Sequence, residues 1–446
     1  MSTLALPDQG ALTRRRIGRI EDPPRPTPSF DADVAIVGLG YVGLPTALAY
    51  HHAGTRVVAL DIAAPRLTAI RSGEVDLVPD DRTRLRHALD DPGFVLTADV
   101  SALSRAHAVI VCVPTPVDRH LVPDLSLLRA ACASVVAHAV PGQLLMLTST
   151  TYVGCTEDLL VRPLLRRGLV AGDDVHVAFS AERIDPGSAG VKTETVPRVV
   201  AGATPACTDA AANVLGSYAE SVHRVSSLAV AEMTKLLENT FRAVNIALIN
   251  EFADICRTLG MEVGDVIDAA ATKPYGYMAF HPGPGVGGHC IPCDPHYLLW
   301  QLRRERMDAP MIATAMQQIA GRPGRVVDRI RDVLSARRRG LPGTRVLVSG
   351  ITYKPDVADL RESPALEILQ SLLEAGAVVG YTDPYIPVAT LPDGIELIGV
   401  DEPGAFDPEV VLLHTAHTGV DTSWIGDALV VDATYGARGF ANRVAL

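Results

Sequence analysis

The sequence predicts an α/β protein of two doubly wound halves, joined by a long central helix and a helical middle region. Three observations carry that prediction. The apolar run Asp33–Val37 leads into a glycine-rich turn, Gly38 to Gly43, and a second apolar strand closes on an acid, Asp61. A similar strand, turn, helix, strand and acid recur from Arg345 to Asp383. Between them, residues 228–259 are free of glycine and proline and carry apolar residues at helical spacing.

Taken in order, residues 1–31 read as a flexible extension. They hold Arg14, Arg15 and Arg16 and the prolines 23, 24, 26 and 28, without the apolar stretch of a secretory signal. Residues 32–212 form the first half. Leu44–Ala53 is a helix and Arg56–Leu60 a strand, and further strands at Ala108–Val113, Leu144–Ser149 and Val175–Ala178 alternate with helical stretches. Residues 213–322 form the middle. Met233, Leu236, Leu237, Phe241, Val244, Leu248 and Phe252 line one long helix, which would bridge two domains and supply a dimer seam. Helical segments Val263–Ala271 and Pro295–Arg306 flank a loop rich in glycine. Residues 323–446 begin at Pro323-Gly324 and repeat the α/β pattern. Strands Arg345–Ser349, Val378–Thr382, Val410–Leu413 and Leu429–Asp432 surround a helix, Ser363–Ala375. Both halves read as Rossmann-like.

The 446 residues are 48% hydrophobic and 20% charged, with a net charge of −11. That charge argues against nonspecific nucleic-acid binding and requires local cations for any anionic ligand. The densest apolar stretch, residues 130–153, is broken by His138, Pro141, Gly142 and Gln143, so no membrane span is expected. Seven scattered cysteines suit a reducing cytoplasm.

The first turn is a dinucleotide site in its proper context. Gly38, Gly40 and Gly43, with Tyr41 and Val42 between them, make the turn, admit a pyrophosphate and let the helix pack. Asp61 accepts from ribose hydroxyls and repels a 2′-phosphate, which favours NAD over NADP; Arg66 nearby keeps the second reading open. Pro114 and Thr115 follow the next strand, and Thr150 ends the one after it, so both reach the edge where ligands bind. Glu182 and Arg183 end a further strand, where Arg183 would pair with Glu182 or with a phosphate. Lys235 and Asn239 share one helix face, with Arg242 and Asn245 close to it. Each has a plainer reading: a turn, a loop charge pair, a solvated helix face.

The stretch from Gly283 to Pro295 displays a cysteine, Cys290, on glycines, with a carboxylate, Asp294, four residues on. A nucleophile is the favoured reading. Cys290 and Cys293 also match a redox CxxC motif or half a zinc site, with His281, His289 and His296 near, but the spacing fits no common structural zinc site. No metal is expected. In the C-terminal half, Lys354 and Arg361 stand near a helix start capped by Ser363 and Pro364, where a phosphate would bind.

In this order and spacing, the motifs resemble those of the UDP-glucose/UDP-N-acetylhexosamine 6-dehydrogenases. The resemblance spans residues 33–440. It includes the GLGYVG turn, the VPTP and STT strand ends, the long EMTKLLENTFRAVNIALINE helix, the GGHCIPCDP loop and the YKPDVADLRESPALE segment. It implies an NAD domain, a dimerising central helix and a UDP-binding domain. It also implies a four-electron oxidation of the sugar C6 alcohol to a carboxylate. Cys290 would hold the thiohemiacetal and thioester, and Lys235 with Asn239 would stabilise oxyanions. Asp294, Thr150 and Glu182 would serve the water. Lys354 would reach cofactor and substrate, with Arg183, Arg242, Gly287 and Arg361 on the substrate side.

Departures from the UDP-glucose branch point toward UDP-N-acetylglucosamine. They are Ile291-Pro292-Cys293 for Phe-Pro-Lys, Thr272 to Tyr277 for an Arg-Ile-Gly segment, and Ala181 for proline. UDP-glucose oxidation is the alternative, and a noncatalytic nucleotide-sugar binder the remote one. Cys293 fits neither branch, and its spacing suggests a reversible disulfide with Cys290.

Overall fold

The structure, a computed structural model, describes residues 29–183, 193–288 and 290–446. Most of the 1–31 extension and His289 lie outside the described residues.

The first sheet has eight strands: β1 (Ala32–Val37), β2 (Val57–Leu60), β3 (Phe94–Thr97), β4 (Ala106–Val111), β5 (Leu144–Leu147), β6 (His176–Phe179), β7 (Arg198–Gly202) and β8 (Val222–Arg224). Their order is β3-β2-β1-β4-β5-β6-β7-β8. Strands β1 to β6 are parallel, β7 runs antiparallel to β6, and β8 is parallel to β7. Through β6 this is the doubly wound dinucleotide order, whose direction reverses between β1 and β4. The register shows why β1 is apolar throughout. Val34 and Ile36 face one buried layer, Ala35 and Val37 the other.

Strands β3, β7 and β8 are absent from the sequence reading. The first is short and only Phe94 in it is buried; the last is polar and largely exposed. The sheet therefore runs on to Arg224, past residue 212. Strand β4 starts at Ala106 and stops at Val111, ahead of the expected Val113. Pro114 and Pro116 lack the N–H a ladder needs, so the chain leaves the sheet there.

The second sheet is parallel, in the order β10-β9-β13-β14-β15, from strands β9 (Arg345–Ser349), β10 (Val378–Thr382), β13 (Val410–Leu413), β14 (Leu429–Asp432) and β15 (Arg443–Ala445). A hairpin, β11 (Val388–Thr390) with β12 (Glu396–Ile398), stands apart. This order too reverses beside its first strand, between β9 and β13.

The long helix spans Leu228–Leu259, as the spacing predicts. Ser227 caps its start and Gly260, at φ 75°, ends it. One face buries Ala231, Lys235, Leu236 and Asn239, while Met233, Leu237, Phe241, Leu248 and Phe252 remain exposed. Among the described residues no helix is long and apolar enough to cross a membrane.

The helix expected over Pro295–Arg306 spans Cys290–Arg304. Proline favours the first turn, which misplaced the start. Instead Ile291, Cys293, Asp294 and Tyr297 all bury, and their packing holds an earlier turn with Pro295 inside the helix. Cys290 is therefore a helix-opening residue rather than a loop residue.

Candidate active site

The glycines of the first turn do different work. A Cβ on Gly43 would lie 1.8 Å from the carbonyl oxygen of Gly38, so this position must be bare for the helix to meet the strand. Gly38 sits at φ 90°, and its Cβ would strike the Cys112 carbonyl at 2.8 Å. A Cβ on Gly40 would meet nothing within 4 Å. Protein packing does not demand a glycine there, and the open space suits the approach of a pyrophosphate. Asp61 Oδ2 accepts from the Leu39 N–H at 2.8 Å and Oδ1 from the Ala63 N–H at 2.9 Å. A carboxylate has about four lone-pair sites, so two remain for ribose hydroxyls. Arg66 donates Nε–H to the Leu39 carbonyl at 2.7 Å, bracing the turn. The residues present fit NAD.

Next to this turn, the two strand-edge loops are stitched together. Ser149 Oγ accepts from the Val113 N–H and donates to the Val113 carbonyl. The helix opened by Cys290 docks onto these loops. Buried Tyr297 donates to the Thr115 carbonyl at 3.1 Å, and Gln301 exchanges two hydrogen bonds with the main chain of Val153. Trp300 meets Tyr152 edge to face. On the long helix, buried Glu232 accepts from the N–H groups of Gly154 and Thr156 and from the Thr156 hydroxyl. Three segments distant in sequence thus meet at the carboxyl ends of β4 and β5.

The expected polar residues meet there. Lys235 Nζ donates to the main-chain carbonyl of Glu182 at 2.7 Å. Asn239 Nδ2 donates to Asp294, and Thr150 also hydrogen-bonds this carboxyl. Lys235, Asn239 and Asp294 are all buried, which rules out a solvated helix face for the first two. Burial pushes the Asp294 carboxyl up to about 6, while Lys235, Asn239 and Thr150 pull it partly down. Cys290 and Asp294, four apart on one helix, share a face. Cys290 is exposed, at the helix start, where the positive end of a helix dipole favours a thiolate. Arg242 is half-buried on the long helix.

Two pairings differ from expectation. Arg183 reaches Glu182 only through its main-chain N–H, which donates to Oε1 at 2.7 Å. Its guanidinium is bound to Glu238 on the long helix, with Nη2 2.7 Å from Oε1, and donates to the Pro197 carbonyl. Glu182 pairs instead with Arg198, which is buried at the start of β7. An arginine heading an apolar strand gives no sequence sign that it will be interior, so Arg198 was missed. Glu232 was missed for the same reason: it looks like one more charge on a long helix.

The C-terminal half closes over the site. Gly287 leaves room for Tyr353, whose Cβ would lie 2.5 Å from a Cβ at that position, so packing alone requires this glycine. Gly288 N–H donates to the Arg361 carbonyl at 2.9 Å. Arg361 forks onto buried Asp359 and lies over the Tyr41 ring, 3.7 Å from its centroid. Ser363 caps the helix Pro364–Glu374 and donates to the Ile351 carbonyl. Lys354 lies in the same turn, where the Thr352 hydroxyl donates to its carbonyl. Asp383 repeats the placing of Asp61: its Oδ2 accepts from the Ile351 N–H at 2.7 Å. That oxygen also meets His417 Nε2 at 3.0 Å, a partner Asp61 lacks.

Cys293 is buried and its thiol is pushed up to about 12 by that burial. Among the described residues no three His, Cys, Asp or Glu side chains converge as metal ligands.

Comparison with known proteins gives a consistent set of matches. Profiles of the UDP-glucose/GDP-mannose dehydrogenase family match in three parts: the NAD binding domain over residues 32–219, the central domain over 229–318 and the UDP binding domain over 347–435. A UDP-N-acetyl-D-glucosamine 6-dehydrogenase of Pseudomonas aeruginosa is 35% identical over 396 residues, covering 87% of this chain and 91% of that protein. A UDP-N-acetyl-D-mannosamine dehydrogenase of Salmonella typhi is 35% identical over 350 residues, covering 76% and 82%. The solved UDP-D-ManNAc dehydrogenase of Pyrococcus horikoshii superposes with a TM-score of 0.84 at 29% identity, covering 93% and 98%.

Proposed function

The chain belongs to the UDP-glucose/GDP-mannose dehydrogenase family and is an NAD-dependent UDP-sugar dehydrogenase, and from that premise we propose that its substrate is a UDP-N-acetylhexosamine, in first place UDP-N-acetylglucosamine. The reaction is a four-electron oxidation of the C6 alcohol to the carboxylate. Support comes from one observation above all: buried Lys235, Asn239 and Asp294 gather with half-buried Thr150 beside a helix opened by Cys290.

NAD supplies the hydride acceptor for both oxidations. The chain supplies the rest. Lys235, an ammonium in a closed site, favours charge developing on the C6 oxygen. The first oxidation yields the aldehyde and a proton. The Cys290 thiolate adds to the aldehyde carbon, forming a thiohemiacetal. Loss of a second hydride from C6 leaves a thioester. Water, deprotonated by Asp294 and oriented by Thr150 and Glu182, attacks it and releases the acid and the thiol. Asn239 fixes Asp294, and Arg183, Arg242, Lys354 and Arg361 attract the diphosphate.

The N-acetylhexosamine reading rests on Ile291, Ala181 and the segment Thr272 to Tyr277 and on the relatives' names. The alternative, UDP-glucose, would leave these departures without a role. The exposed stripe Met233, Leu237, Phe241, Leu248 and Phe252 belongs in the seam of a homodimer, since an apolar face this long is costly in water. The chain divides into an NAD-binding domain, a dimerising middle with the Cys290 helix, and a UDP-sugar-binding domain, working in the cytoplasm.

The test is NADH formation with UDP-N-acetylglucosamine, UDP-N-acetylmannosamine, UDP-N-acetylgalactosamine and UDP-glucose. Two NADH per sugar and highest kcat/KM for UDP-N-acetylglucosamine are expected. One NADH per sugar would overturn the four-electron mechanism, and preference for UDP-glucose the substrate.

A further inference from the structure

Glu182 has a second side. Beyond it, in the layer where helices Gly43–His52 and Pro205–Leu215 cover the first sheet, lies a small void of about 10 Å³. Thr46, Tyr50, Ser180, Glu182, Arg198 and Tyr218 are among its walls. Its size matches the roughly 10–15 Å³ that holds a single water.

Arg198 is the unusual member. It is 1% exposed, and an interior guanidinium costs several kcal/mol unless it is fully paired. Nη1 pairs with Glu182, and Nη2 donates to the Thr193 carbonyl at 3.1 Å. The guanidinium carbon lies 5.3 Å from the centre of the Tyr218 ring. Among the described residues Nε–H has no partner, and neither do the hydroxyls of Tyr50 and Ser180, all buried. One donor and two hydroxyls suit one water, which can accept from Nε–H and bond both hydroxyls.

A buried ion pair is weak support for stability, because desolvation offsets the attraction. Its placement suggests another use. The main-chain carbonyl of Glu182 holds Lys235, while its side chain is held by Arg198. We infer that Arg198 is a positioning residue: locked by a buried water against Tyr50 and Ser180, it fixes Glu182 and through it the Lys235 ammonium. This rests on the catalytic roles proposed for Glu182 and Lys235.

Four single variants test it, Arg198→Lys, Arg198→Met, Tyr50→Phe and Glu182→Gln, with the double variant of Arg198→Met and Glu182→Gln, each checked for folding by thermal melting. In folded Arg198→Lys, kcat is expected to fall about 10-fold with KM for NAD unchanged, and in Tyr50→Phe about 3-fold. Adding Arg198→Met to Glu182→Gln should cost less than about 2-fold more, since both act through one contact. A second readout needs no turnover. Acylation of Lys235 by an amine-directed reagent, mapped by mass spectrometry, should speed up several-fold in Arg198→Lys and Tyr50→Phe. Unchanged kcat and unchanged Lys235 labelling in the folded variants would overturn the inference, as would losses that multiply in the double variant. If the wild type oxidises no UDP-sugar, the proposed substrate class falls while the labelling still decides the role of Arg198.

Discussion

Arg361 stacks on Tyr41, its guanidinium carbon 3.7 Å from the ring centroid. The tyrosine belongs to the glycine turn of the first sheet and the arginine to the segment ahead of the helix Pro364–Glu374 in the second half. The cofactor turn and the nucleotide-binding half therefore touch directly. A cation–π contact of this kind is worth about 1–2 kcal/mol when partly desolvated. Tyr41→Leu should therefore uncouple the two ligands. The ratio of UDP affinities with and without saturating NAD, measured by calorimetry, is expected to fall toward one. An unchanged ratio would show that the contact transmits nothing.

Gly40 and Gly43 should part company on substitution. Gly43→Ala forces a Cβ into the Gly38 carbonyl and should destabilise by about 3 kcal/mol. Gly40→Ala meets open space, so its melting temperature should stay within about 2 °C of wild type. NAD affinity should nevertheless drop at least about 10-fold, because the methyl stands where the pyrophosphate approaches. Normal NAD binding by Gly40→Ala would remove the turn from the cofactor site.

Asp294 should oppose stability to activity. Its folded carboxyl titrates at about 6, above its ordinary 3.8, so the folded state keeps a proton the unfolded chain has released. Stability therefore falls as pH rises from about 4 to about 6, and above that the whole penalty, up to about 3 kcal/mol, is present. Asp294→Asn should melt higher than wild type at pH 8 and equally at pH 4. Its turnover should fall at least about 100-fold, while wild-type kcat climbs through pH 6 as the carboxylate forms. A variant no more stable at pH 8 than at pH 4, relative to wild type, would contradict the burial cost.

The two cysteines of the helix should behave differently. Cys290→Ser should stop the reaction at or before the thioester stage, so less than two NADH per sugar accumulates. Cys293 is buried with its thiol held protonated, and attack on an oxidised Cys290 needs a thiolate. Cys293→Ser should then leave peroxide inactivation and its reversal by dithiothreitol unchanged. Loss of that reversal would restore the disulfide suggested by the spacing.

Much of the site was legible because its signals are local. Gly38, Gly43 and Asp61 announce a turn within some 25 residues, and a 3.6-residue period marks Leu228–Leu259 to its ends. The motif order around Cys290, Lys235 and Asp294 named the chemistry through resemblance. Strand β8 and the true start of the Cys290 helix were not legible, since neither propensity nor proline placement reports what a neighbouring surface will bury.

The sequence by itself determined the glycine turn of the first half, the acids that end the second strand of each half, the long helix and the candidate residue types. Tertiary structure alone decided the partners. It gave Glu182 to Arg198 and Arg183 to Glu238, set Asp294 between Lys235, Asn239 and Thr150, and laid Arg361 on Tyr41. The physical reason is burial. A charge removed from water must find its opposite wherever the fold brings one, and residues 16 or 320 positions apart become equal candidates once the layers close.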